Sequence, residues 1–155
     1  MRRQDRQISD ENELNEILTK CKYTVISMCK DNEPYIVTLS YGWEKEKNVL
    51  YIHTGKKGQK IDFIKYNPNV CATIIDDLGY IMNECGHEYR TIIIKGVISF
   101  VESIEEKKYG MEIILKHLED TPHIIKERSL KNDEIYNNIE ILRLDIKSLT
   151  GKKGR

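Results

Sequence analysis

Three β-rich runs follow one another with almost no chain between them, and that spacing constrains the fold most strongly. Residues 23–29 (YTVISMC), 35–43 (YIVTLSYGW) and 49–54 (VLYIHT) are rich in β-branched and aromatic side chains and roughly alternate. Asp31, Asn32, Glu33 and Pro34 make a polar turn between the first two. The charged stretch 44–48 (EKEKN) joins the second to the third. Connections this short cannot carry a crossover helix, so the strands form an antiparallel meander.

The rest of the chain adds strands and punctuating helices. Residues 70–75 (VCATII), 89–101 (YRTIIIKGVISFV) and 139–146 (IEILRLDI) read as further strands, and Gly96 marks a bulge or bend in the long one. Residues 76–88, with Gly79 and Gly86, read as a loop or an irregular hairpin. Asp10, with Glu13 three residues on, opens a helix whose Leu14, Ile17, Leu18 and Cys21 share one face. Ser103 and Glu106 open another, carrying Met111, Ile114, Leu115 and Leu118 and broken by Pro122. Residues 123–138 are polar and poorly periodic, a short helix or loop, and 149–155 read as a basic tail. The sum is six strands and about three helices: an α+β domain with a closed or half-closed antiparallel barrel. Ile92, Ile93 and Ile94 in a row suggest a strand covered on both faces, more than one small barrel provides.

Composition narrows the function. With 155 residues the chain makes one domain with a real core. Lys+Arg and Asp+Glu balance at 25 each, which argues against nucleic acid as the main partner. Local basic clusters remain at Arg2, Arg3 and Arg6 and at Lys152, Lys153 and Arg155. No apolar run is long enough for a membrane helix, and the N-terminal MRRQDRQISDE has no apolar core of a secretory signal. Cys21, Cys29, Cys71 and Cys85 form no C-x-x-C pair, so reduced thiols in a cytoplasmic protein are expected. Cys85 and His87 have no second cluster to complete a metal site, so no metal is expected. Motifs for a serine-hydrolase elbow, a dinucleotide fold or a P-loop are absent, and Tyr41 and Trp43 read as core or interface aromatics.

The chemistry concentrates where the third strand ends. After Thr54 come Gly55, Lys56, Lys57, Gly58 and Lys60, then a short helix bearing Ile61, Phe63 and Ile64 that Pro68 stops. A lysine-rich glycine turn entering a helix is suited to a phosphate, because free N–H groups, the helix dipole and ammonium charge converge there. The same composition also makes an ordinary solvated turn. His53 sits one residue before Thr54, placed to donate to an anionic or carbonyl oxygen of a ligand.

These residues resemble a known family. PYIVTLS (34–40), YIHT (51–54), Gly58, Gln59 and Lys60, and NPNV (67–70) resemble the pyridoxamine 5′-phosphate oxidase-like flavoproteins, and MRRQDR, YIHTGKKGQKID and LTGKK look like their nitroimidazole-resistance (Nim) branch. The resemblance implies a split β-barrel homodimer that holds FMN in clefts at the subunit interface. It places Val37, Thr38, Leu39 and Ser40 along the flavin ring, and His53 and Thr54 near the ring and ribityl chain. It gives Lys60 to the phosphate, helped by Lys57 and the Gly58 N–H, with Lys152 reaching the flavin. Gln59 stands where relatives carry arginine, which Lys56 or Lys57 would replace, and Gly58 where serine is common. The implied activity is an FMN-dependent oxidoreductase acting on a small acceptor such as a nitroimidazole, with His53 as the catalytic residue. The alternatives are a non-catalytic flavin- or haem-binding protein, or a barrel without cofactor. The arginine- and histidine-rich C-terminal motif of pyridoxal-phosphate synthesis is missing.

Overall fold

The computed structural model describes residues 3–154; Arg2 and Arg155 of the basic clusters lie outside the described residues. A short 3₁₀ turn at Gln4–Arg6 precedes β1 (Gln7–Ile8), α1 (Glu11–Lys20), β2 (Tyr23–Lys30), β3 (Glu33–Ser40), β4 (Gly42–Glu44) and β5 (Val49–Thr54). Then come α2 (Gln59–Tyr66), β6 (Asn69–Ile81), β7 (Gly86–Phe100), α3 (Ile104–Leu118), α4 (Pro122–Ser129), α5 (Asp133–Asn138) and β8 (Glu140–Gly154). One antiparallel sheet runs β3-β2-β6-β7-β8-β5-β4, with β1 added to β8. Its two ends curl together until β3 meets β5 without pairing, which gives a split barrel. Ile26, Leu50, Ile52, Ile74, Ile92, Ile94, Leu142 and Leu144 fill the interior. A second core, with Val49, Tyr51, Met111, Ile114, Leu115 and Ile141, lies between β5 and α3.

The α+β antiparallel barrel is as the sequence suggested, with eight strands in place of six. The run 35–43 is two strands, because Tyr41 interrupts it: its ring is fully buried and its hydroxyl donates to the Leu18 carbonyl at 2.8 Å. The first turn is tighter than expected. Only Asp31 and Asn32 form it, both at positive φ (48° and 64°), the geometry of a two-residue hairpin loop. Glu33 and Pro34 already belong to β3, where an edge tolerates proline's missing N–H.

Residues 149–154 are not a tail but the end of β8, paired with β7 from Leu149↔Ile94 to Gly154↔Tyr89. Their lysines disguised a strand: the Lys153 ammonium meets Glu13 at 3.0 Å. Residues 76–88 are an irregular hairpin, with a register shift between Asp77 and Gly79. Gly96 sits at the expected bulge against β8. Asp10 and Ser103 cap their helices through Asn12 N–H and Glu106 N–H. The return bonds of both capping boxes are not made: Glu13 faces Arg90 and Lys153, and Glu106 accepts from Tyr51 and Arg143. Residues 123–138 make two short helices rather than one or none.

One histidine couples this fold to pH. The half-buried His117 imidazole donates from Nε2 to the Cys21 carbonyl at 2.7 Å and packs on Tyr41, ring centroids 4.8 Å apart. Burial pushes its pKa down, against the opposing effect of that carbonyl. A histidine lowered in the fold takes up its proton first in the unfolded chain. Stability is therefore complete above the unfolded value, near 6.5, and is lost as pH falls toward the lower folded value. Urea unfolding should show a falling midpoint between about pH 7 and 5, with a shallower fall in His117→Gln.

Candidate functional site

β5 is buried on both faces, with Leu50 and Ile52 in the barrel and Val49 and Tyr51 under α3, so its end is fixed. Thr54 closes it, buried and paired with Glu140. Gly58 then adopts φ 122°, ψ 169°, a conformation that side chains resist, and its carbonyl accepts from Ile61 N–H (2.9 Å) and Asp62 N–H (3.3 Å). The amides of Gln59 and Lys60 have no helical carbonyl to bond, so they remain as donors. Among the described residues, the Lys57 and Lys60 ammonium groups meet no hydrogen-bond or ion-pair partner. Lys56 is different: its ammonium donates to the Asn137 carbonyl at the end of α5. Asp62 is the one carboxylate in the same helical turn.

α2 packs onto β2 and β3, and the Phe63 and Tyr35 rings lie 5.1 Å apart, so the helix that follows the turn is seated against β3. Along β3 the side chains divide. Val37 and Leu39 turn into the barrel core, while Thr38 and Ser40 are exposed on its outer surface. A ligand on that surface meets two hydroxyls and the backbone of the inward pair. Opposite residues of an antiparallel sheet share a face, so the outer row through Thr38 continues as Val25, Thr73, Ile93 and Thr150. Lys152 lies just beyond that row on β8, twelve residues along the strand from Glu140, the partner of Thr54, or roughly 40 Å of extended strand. Its ammonium lies 5.8 Å from the Tyr89 ring centre. Within one chain Lys152 is thus apart from the other predicted site residues.

His53 points out of the barrel at the mouth of a cavity under α3; the residue is exposed on its outer side, while partial desolvation by the groups around it lowers its pKa and favours neutral imidazole. The helices that complete this cavity were not legible in sequence. Ile125, Leu130 and Ile135 are spaced by five, and the break after Ser129 erases any helical period. The His87 ring, singled out beside Cys85, bonds Asp77 at 2.7 Å. Among the described residues no helix is long and apolar enough to cross a membrane.

A turn that offers amides and two free ammonium groups, beside a strand edge offering hydroxyls and backbone, fits a flat ring carrying a phosphate. A family model, pyridoxamine 5′-phosphate oxidase, matches residues 10–153. The chain belongs to the pyridoxamine 5′-phosphate oxidase family. Solved structures extend the likeness in fold. A candidate 5-nitroimidazole antibiotic resistance protein of Bacteroides thetaiotaomicron has a TM-score of 0.81 and 23% identity, over 96% of this chain and 86% of that one. An FAD-binding protein of Mesorhizobium loti has a TM-score of 0.69 and 17% identity, over 97% and 98%. A flavocytochrome of Azotobacter vinelandii has 0.79 and 12%, over 99% and 71%. No curated protein matches the sequence.

Proposed function

We propose that this pyridoxamine 5′-phosphate oxidase family member binds FMN and acts as an oxidoreductase on a small organic acceptor, of which a nitroimidazole is one kind. The observation that carries the reading is the pair of unpartnered ammonium groups, Lys57 and Lys60, beside the open amides of α2. A terminal phosphate carries close to two negative charges at neutral pH, and this turn matches them. Thr38 and Ser40 and the β3 backbone supply hydrogen-bonding groups for the ring, which has several acceptors and a donor. The bound flavin supplies the electron transfer. The protein holds the ring, shields one face and leaves the other open, and His53 orients the acceptor or gives it a proton.

The reading includes a homodimer. The outer row leaves apolar surface uncovered in the single chain, with Ile36 64% and Ile93 40% exposed. A second copy on this face would cover them and bring its own Lys152 toward the first copy's β3. Size exclusion should give twice the 18.2 kDa chain; the single-chain mass would remove the dimer. For the activity, the purified protein should show flavin absorbance bands, release FMN on denaturation, and oxidise NAD(P)H when a nitro compound is added. Flavin without turnover would mark a non-catalytic carrier, and neither flavin bands nor binding of added FMN would defeat the proposal.

A further inference from the structure

We infer that the cavity beneath α3, α4 and α5 binds a small, neutral, mostly apolar molecule of one or two aromatic rings, anchored by a hydrogen bond to His53. The cavity measures about 350 Å³. Elements distant in sequence line it: Met111 and Leu115 of α3, Ile125 of α4, Leu130, Ile135 of α5, and His53 at the end of β5. Apart from His53 and Ser129 its lining is apolar, and among the described residues no lysine, arginine, aspartate or glutamate contributes to it. A charged ligand would lose its hydration there and find no counter-charge, whereas a neutral ring loses little.

The volume sets the size. It lies at the lower end of the usual range for small-molecule sites, room for one or two rings such as a naphthalene. The ring of His53, exposed on its outer side, has no hydrogen-bond partner among the described residues, and partial desolvation on its cavity side favours the neutral form. Neutral imidazole offers one donor and one acceptor, so a hydroxyl or carbonyl on the ligand satisfies it. Because His53 adjoins Thr54 and the lysine turn, a molecule seated here would lie beside the flavin of the proposed function. Only its being a substrate rests on that reading; its binding does not.

The test compares three probes of one shape on the full-length protein: 2-naphthol, 2-naphthoate and 2-methylnaphthalene, followed by fluorescence titration at neutral pH. 2-Naphthol should bind once per chain, and 2-naphthoate at least about tenfold more weakly. His53→Phe should weaken 2-naphthol about tenfold and leave 2-methylnaphthalene unweakened. Ile125→Trp, filling the cavity from a partly buried position, should abolish binding of both neutral probes, with circular dichroism confirming that the variant is folded. Equal binding of naphthol and naphthoate, or naphthol binding indifferent to His53→Phe, would overturn the inference even if Ile125→Trp failed to fold. Flavin content is read separately from the visible spectrum, so naphthol binding to flavin-free protein would sustain the cavity while the function failed, and the reverse result would do the opposite.

Discussion

Lys60→Glu is expected to empty the flavin site and leave the fold intact. Lys60 is half-buried in the first turn of α2, and among the described residues no carboxylate or carbonyl holds its ammonium group. The substitution removes a charge-assisted bond worth about 1.5–3 kcal/mol and places a like charge beside the phosphate. FMN affinity should fall at least about 100-fold, since each tenfold step corresponds to about 1.4 kcal/mol. Stability should hold, because an acidic side chain in the first turn of a helix is favourable. The three lysines of the turn should rank by their present partners. Lys57→Glu should weaken FMN clearly, whereas Lys56→Glu should do so least, since that ammonium is engaged by Asn137. Flavin released per chain, with thermal midpoints measured alongside, checks the order. Equal losses at all three positions would point to general surface charge rather than a site.

Gly42→Ala is expected to cost the most stability of any single methyl group added near the site. A Cβ at Gly42 would stand 2.6 Å from the Ile114 Cα and N and 2.7 Å from the Ile113 carbonyl carbon. These are helix backbone atoms, and no side chain can swing away to make room. α3 would have to lift from β4 and β5. Overpacking of this kind costs about 3 kcal/mol, the upper end of its usual range. For a chain of this length that lowers the thermal midpoint by roughly 10 °C. The same shift moves Ile114, which lines the cavity behind His53, so naphthol binding should weaken in the variant as well. A midpoint within about 1 °C of wild type would show that α3 is less tightly seated than its geometry implies.

How much of this was legible in the sequence depends on what each residue does locally. The meander was legible because the polar stretch Asp31–Pro34 is too short for a crossover helix; that only Asp31 and Asn32 form the turn was not, since it follows from the pairing of Lys30 with Glu33. The lysine turn was legible because glycines, lysines and Pro68 act within a few residues of one another. The first half of β8 was legible from its apolar alternation, but its end was not, because Lys152 and Lys153 sit in a stretch whose pairing is set by β7, far away in sequence. The cavity was hidden for the same reason: α4 and α5 are short and gain their stability from packing against α3 rather than from a periodic stripe of their own. The division of β3 between core and surface follows from alternation, but which of Val37 and Thr38 faced inward depended on where the barrel closed.

The central claim is that the β5–α2 turn holds the terminal phosphate of a flavin. Riboflavin has the same ring and ribityl chain and no phosphate, so titrating flavin-free protein with FMN and with riboflavin isolates that contact. FMN should bind at least about 100-fold more tightly, and Lys60→Glu should erase most of the difference. Equal affinity for the two ligands in the unmodified protein would contradict the account.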